Sequence, residues 1–219
     1  MNLKKFEWIF FDIGGVLTDE SKSNKLRMQT VLEIINQYVP DVFMEDIIDE
    51  YWTGASSAVG DVDKSLLRIF LKKEDLIEQA LGQLAEKKKF WPAYHERNVI
   101  RNESGRTLEA LSKNHKIGVI ANQSGLVRDF LEKGGILKYF DFLGISAEYK
   151  LEKPDPAFFE EVLKDSGADP SKSVMIDDNI KRGLLPAKKL GFTTIWFNFD
   201  RRNGKGETDY EINSLEELI

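Results

Sequence analysis

The sequence predicts an α/β fold in which a parallel β-sheet core is interrupted by an inserted α-helical segment. Three observations carry this prediction. Five short apolar runs read as buried strands, at residues 7–11, 117–121, 142–146, 173–176 and 193–197. The last four are regularly spaced and alternate with amphipathic helical patterns, which implies parallel pairing through crossovers. Roughly 100 residues separate the first run from the second, several times what a single crossover helix requires.

The elements follow in order. Trp8-Ile9-Phe10-Phe11 is continuously apolar, as expected of a strand covered on both faces. In the long gap, Met28, Val31, Leu32, Ile35 and Tyr38 have helical spacing and predict a helix over 25–39. Phe43, Ile47, Ile48 and Tyr51 predict a second, and further helices are expected over 65–71 and 76–85. Residues 20–98 therefore read as a helical subdomain set into a core made of 1–19 and 99–219. A helix over 102–113 leads back to the sheet. The helix expected over 124–133 puts Val127, Phe130 and Leu131 on one face, with Ser124 as its N-cap. The helix over 156–164 has clear punctuation: Asp155 at the N-cap, Pro156 in the first turn and Gly167 beyond the end. Residues 200–208, with Arg201-Arg202-Asn203-Gly204, read as a surface loop.

Composition excludes several classes of function. Lysine and arginine total 31 against 37 aspartates and glutamates, a net charge of -6, the wrong sign for a protein bound mainly to nucleic-acid backbones. No apolar run approaches the roughly 20 residues of a membrane-spanning helix. The apolar stretch after Met1-Asn2-Leu3-Lys4-Lys5 ends at Asp12, too short for a signal-peptide core. Without cysteine there is no disulfide framework, thiolate metal site or cysteine nucleophile. A cytoplasmic protein is expected.

In an open parallel sheet, ligands bind beyond the carboxyl ends of the strands. The first run leads straight into Asp12-Ile13-Gly14-Gly15, a carboxylate followed by glycines that let backbone approach a ligand. A turn or cap aspartate is the plainer reading of Asp12 alone. The fourth run ends in Asp177-Asp178-Asn179; two carboxylates near a third call for a cation, and oxygen-only ligands suit Mg2+ if a phosphate completes its shell. An ordinary acidic loop is the alternative. Lys153, between the third run and a helix, is held stiffly beside Pro154 and can pair with a carboxylate and a phosphate. Asn122-Gln123-Ser124 after the second run offers donors for a phosphate.

One weak signal per strand end, in this order, resembles the haloacid dehalogenase superfamily of phosphohydrolases. Phe11-Asp12-Ile13-Gly14-Gly15-Val16-Leu17 is similar to its first motif and Ile120-Ala121-Asn122 to its second. Lys153-Pro154-Asp155-Pro156 and Asp177-Asp178 are similar to the third and fourth, and Ser214-Leu215-Glu216-Glu217-Leu218 to the usual terminus. The resemblance spans nearly the whole chain. It implies a Rossmann-like core, with 20–98 as the helical cap of members acting on small substrates.

For the site, the resemblance implies that Asp12 is a nucleophile forming an aspartyl phosphate, that Lys153 neutralises charge, and that Asn122 and Gln123 help hold the phosphoryl group. Asp12, the carbonyl of Gly14 and a motif-four carboxylate would ligate Mg2+. The 14 residues counted from Asp178 to Gly191 favour Asp178 over Asp177 for that ligand. Two departures stand out. Gly14 occupies the place of the usual acid-base aspartate, and Ala121 that of the usual serine or threonine. Absence of acid-base help lowers rates on the order of 100- to 10,000-fold, and of one phosphate donor by a further factor of about 10 or more, so activity is expected to be low.

The expected function is Mg2+-dependent hydrolysis of a small phosphorylated metabolite, by a monomer or homodimer. The competing readings are a metal-free 2-haloacid dehalogenase, which the paired carboxylates disfavour, and a non-catalytic member binding a phospholigand or a protein. His95 and His115 lack ligand partners at metal spacing. Trp52, Trp91 and Tyr94 read as core of the inserted segment, and Lys87-Lys88-Lys89 as a solvated helix end.

Overall fold

Side chains alternate along the first strand, and that alternation sets the layers of the core. In this computed structural model, which describes residues 1–53, 62–200 and 207–219, Trp8–Phe11 forms β1 and is buried throughout. The later strands are Thr18–Asp19 (β2), Val99–Ile100 (β3), Lys116–Ala121 (β4), Phe142–Ile145 (β5), Ser173–Asp177 (β6), Thr193–Phe197 (β7) and Tyr210–Ile212 (β8). The helices are Ser21–Ile35 (α1), Met44–Thr53 (α2), Val62–Leu71 (α3), Glu74–Lys88 (α4), Tyr94–Arg97 (α5), Ser104–Leu111 (α6), Val127–Lys133 (α7), Ser146–Tyr149 (α8), Pro156–Ser166 (α9) and Leu185–Lys189 (α10).

Six strands form one parallel sheet in the order β5-β4-β1-β6-β7-β8, so β1 lies between β4 and β6. Ile9 and Phe11 face Leu108 and Leu111 of α6 and Val127 and Leu131 of α7. Trp8 and Phe10 face the opposite layer, with Phe158, Phe159 and Val162 of α9 and Ala187 of α10. This helix, sheet, helix sandwich is the Rossmann-like α/β arrangement. Each fully buried phenylalanine, such as Phe10 or Phe159, contributes about 1.5–3 kcal/mol relative to exposure.

Several boundaries differ from the sequence expectation. β6 runs one residue further, through Asp177. Helix α7 starts at Val127 rather than at 124: Ser124 accepts a backbone hydrogen bond from Val127 N through its carbonyl, and no side chain caps the helix. Helix α1 is shifted toward the N-terminus, because residues 36–39 wind into single turns before Pro40, whose ring disfavours helix at Val39. Strand β8 is short and half polar, which left it without an apolar signature. In α9, by contrast, Asp155 caps Ala157 N at 3.0 Å and Gly167 closes the helix at φ 69°, as expected.

The chain divides into two compact units, Met1–Asp19 with Val99–Ile219, and Glu20–Asn98. The regular elements described in the second are all helices, with Val31, Ile34 and Ile35 of α1 packed among Ile47, Leu66, Leu67, Ala80 and Leu84. Trp52 and Trp91 pack against this cluster as core groups. Its one buried carboxylate among the described residues, Asp63, pairs with Arg27 Nε at 3.0 Å and Lys88 Nζ at 2.5 Å. Lys88 is therefore an ion-pair partner rather than a solvated helix end. The side chains of Tyr94 and His95, and residues 201–206 of the expected loop, lie outside the described residues. In the first unit, His115 Nδ1 sits 2.9 Å from the carbonyl of Phe6, a structural contact. No helix among the described residues is long and apolar enough to cross a membrane.

Candidate active site

Because β4, β1 and β6 are adjacent and parallel, the residues that follow them emerge side by side at one edge of the sheet. Asp12 follows β1 directly and its backbone N–H donates to Ile176 O at 2.9 Å, which extends the β1–β6 ladder by one rung. Asp177 ends β6, Asp178 is the next residue, and Asn122 follows β4.

Lys153 arrives from the loop between α8 and α9. Its ammonium lies 2.9 Å from Asp12 Oδ1 and 2.6 Å from Asp177 Oδ2, and all three side chains are almost completely buried. The loop is anchored by Asn122, whose carboxamide accepts from Lys153 N at 2.8 Å and donates to Lys153 O at 2.9 Å. The peptide bond from Lys153 to Pro154 is cis. The carboxamide of Asn122, the residue expected to help hold a phosphoryl group, grips the lysine backbone. Gln123 donates its backbone N–H to Ser146 Oγ at 3.1 Å and accepts from that hydroxyl in return.

The two neighbouring aspartates are divided between two partners. Asp177 takes the lysine on Oδ2 and the backbone N–H of Asn179 on Oδ1 at 2.7 Å. A side chain at Gly183 would run into the same carboxylate, so the turn after β6 closes tightly over it. Asp178 instead faces the turn after Asp12. Gly15 has φ 76°, and a Cβ there would stand 2.5 Å from Asp178 Oδ2. The carbonyl of Asp178 accepts from Trp196 Nε1 at 3.2 Å. On its other side the turn is held by Arg101, whose Nη2 donates to Gly15 O at 3.0 Å while its guanidinium covers the rings of Phe197 and Phe199.

Electrostatics follow from this packing. Burial raises the Asp12 carboxyl to about 6; Lys153 opposes the rise and Asp177 adds to it. Burial pulls the Lys153 ammonium down, but Asp12 and Asp177 outweigh it and hold the value above that of an ordinary lysine, so the ammonium stays charged. Asp12, Asp177 and Asp178 each offer an oxygen within 4.8 Å of the others. Three carboxylates against one lysine leave two negative charges to be balanced. A hard divalent cation fits both that deficit and the all-oxygen donor set.

Sequence reasoning missed three residues that shape the site: Arg101, Trp196 and Arg182. Arg182 follows Asp177 by five positions and its backbone N–H donates to Asn179 Oδ1 at 2.9 Å. Its place in the Lys181-Arg182 pair beside two aspartates was the available signal. Asp19, a further carboxylate close after Asp12 in sequence, pairs with Val99 in the β2–β3 ribbon and is not part of the carboxylate group. Ala121 is fully buried at the end of β4, and neither it nor Gly14 carries a group able to donate a proton.

A parallel sheet with a lysine locked between two strand-end aspartates defines a Rossmann-like α/β protein with a charged site at the carboxyl ends of its strands. The family model described as haloacid dehalogenase-like hydrolase matches residues 9–197, and the chain belongs to that family. It is 27% identical over 227 residues to the glyceraldehyde 3-phosphate phosphatase of Methanothermobacter thermautotrophicus, covering 96% of this chain and 93% of that protein. It is 35% identical over 116 residues to a pyrimidine 5'-nucleotidase of Escherichia coli, where the match spans 51% of each chain, about half the length of that relative. Among solved structures, a haloacid dehalogenase-type phosphatase from Thermococcus onnurineus superposes with a TM-score of 0.64 at 23% identity, over 97% of this chain and 95% of that one. That likeness speaks for the fold.

Proposed function

We propose that this hydrolase is a Mg2+-dependent phosphatase acting on a small phosphorylated metabolite through an aspartyl-phosphate intermediate on Asp12. The carrying observation is the ammonium of Lys153 held between Asp12 and Asp177, with Asp178 left facing the Gly14-Gly15 turn. In this reading Asp12, Asp178 and the carbonyl of Gly14 hold the metal, while Asp177 belongs to Lys153. Bound there, Mg2+ neutralises phosphoryl oxygens and orients the phosphate.

Asp12 attacks phosphorus through a carboxylate oxygen, the bond to the ester oxygen breaks, and that oxygen leaves with the bonding pair and takes a proton from water. Water then attacks the phosphorus of the acyl phosphate, releasing inorganic phosphate and restoring the carboxylate. Lys153 keeps Asp12 aligned and balances charge at the phosphoryl oxygens. The two relatives named for phosphate-ester hydrolysis support the reaction class. The inserted unit, Glu20–Asn98, is assigned the choice of substrate.

Hydrolysis of p-nitrophenyl phosphate with Mg2+, abolished by Asp12→Asn in a folded protein, is the expected result. Gly14 and Ala121 favour a second reading, a member that binds a phospholigand without turnover. An absence of hydrolysis across a panel of phosphometabolites, with phosphate binding retained, would select it.

A further inference from the structure

Arg182 lies in the segment that closes the C-terminal edge of the sheet after β6, and its backbone has little freedom. Its N–H is fixed by Asn179 Oδ1, Asn179 is fixed in turn by Asp177, and the next residue, Gly183, abuts the Asp177 carboxylate. The side chain is half-buried and its Nε is wholly buried without a hydrogen-bond partner. No residue among those described forms an ion pair with its guanidinium. A buried N–H left unpaired is costly, and arginine is the side chain whose forked donors match phosphate oxygens in pairs.

The surroundings sharpen this. The residue after Arg182 abuts the Asp177 carboxylate, yet Arg182 itself pairs with none of the described carboxylates. Its positive charge is near enough to act on both Asp12 and Lys153. With a divalent cation the carboxylates and Lys153 are balanced, so an incoming phosphate monoester would bring about two uncompensated negative charges. Ala121 contributes no hydroxyl to meet them.

We infer that Arg182 is a ligand of the substrate's phosphoryl group, supplying from the β6 side the hydrogen-bond donors that Ala121 lacks on the β4 side. The inference rests on the phosphatase reading for its substrate, but its first test does not require turnover. Inorganic phosphate is titrated calorimetrically into the Mg2+-loaded protein, into Arg182→Met and into Arg182→Lys. The expected result is a loss of phosphate affinity of roughly 10- to 100-fold in Arg182→Met and a smaller loss in Arg182→Lys, with Mg2+ affinity near that of the parent. Where p-nitrophenyl phosphate is turned over, KM should rise by a similar factor.

Unchanged phosphate affinity in a folded Arg182→Met would overturn the inference, whether the arginine then proves to be a support for the fold, seen as a lower Tm, or a contact for a distant group of the substrate. If Arg182→Met does not fold, Arg182→Lys carries the test alone, and parental phosphate affinity in it would overturn the inference. Failure of the wild-type protein to hydrolyse any phosphate ester, with phosphate still bound through Arg182, would count against the phosphatase reading and leave this assignment standing.

Discussion

Asn122 holds the backbone of Lys153 on both sides of its Cα, accepting from its N–H at 2.8 Å and donating to its carbonyl at 2.9 Å. The ammonium of a long side chain can settle between Asp12 and Asp177 only if its backbone is placed first, and this pair of bonds places it. Asn122→Ala is expected to lower kcat about 10- to 100-fold while KM moves little, because a displacement near 1 Å is enough to lose that much alignment. Steady-state kinetics beside a thermal melt check it; unaltered kcat in the variant would remove the positioning role.

Metal binding should be visible as stability. A cation bound only by the folded state adds about 2.7 kcal/mol at a hundredfold excess over Kd, which is several degrees in Tm for a chain of this size. Differential scanning calorimetry with and without Mg2+ should show that rise, and Asp178→Asn should lose it. Lys153→Met should behave in the opposite way. It leaves Asp12 and Asp177 facing each other unneutralised, a loss of about 3–5 kcal/mol without metal, and its melting point should depend more steeply on Mg2+ than that of the parent. A Tm indifferent to Mg2+ in all three proteins would remove the metal from the site.

In the proposed phosphatase reaction, Gly14 would leave the departing oxygen without an acid. In a loose phosphoryl-transfer transition state that oxygen carries much of a negative charge, so the rate should follow its basicity. Log(kcat/KM) for a series of aryl and alkyl phosphates is expected to fall steeply as leaving-group pKa rises, with Gly14→Asp flattening the slope. A shallow slope in the parent, where chemistry limits the rate, would mean that another group already supplies the proton.

Asp209 ties the end of the chain to the sheet and should do so only above acidic pH. It accepts from Thr194 N at 2.9 Å, Thr194 Oγ1 at 2.8 Å and Lys188 Nζ at 2.8 Å. Partial burial pushes its carboxyl up, but the Lys188 and Thr194 bonds outweigh this and hold it below the ordinary value. A depressed folded value means that the stabilisation is complete above the unfolded value, near 3.9, and is lost as pH falls through the folded one. Asp209→Asn should therefore reduce stability by about 1 kcal/mol at neutral pH, given the partial exposure, and converge on the parent below about pH 4. Urea titrations at several pH values test this; a constant difference would rule it out.

How much of this was legible in the sequence depended on distance along the chain. Asp12 and Asp177 could be set at one edge because each ends an apolar run, and parallel strands bring their carboxyl ends together. Asn122 could be located but not understood, since its partner lies 31 residues away and the carboxamide looks the same whether it meets a phosphate or a backbone. Ser124 misled for a local reason: a serine before an apolar helical stretch is a good cap on paper, yet the chain takes one more turn before α7 begins. Arg101 was invisible because a single arginine has no periodicity, and Arg182 offered only its place beside Lys181, shortly after two aspartates. Only the fold reveals that one braces the turn at Gly15 and the other stands beside Asp177.

The ribbon of β2 and β3 is only two residues long on each side, pairing Thr18 with Ile100 and Asp19 with Val99. The excursion of the chain through Glu20–Asn98 thus begins and ends at neighbouring points, as at the base of a hairpin. A two-residue Asn-Gly turn joining Asp19 to Val99 would close the same ladder. The excursion is, in topological terms, a detachable loop of the parent sheet, and another helical module with closely spaced ends could be spliced there without altering a strand, a crossover or the register of Asp12 against Ile176.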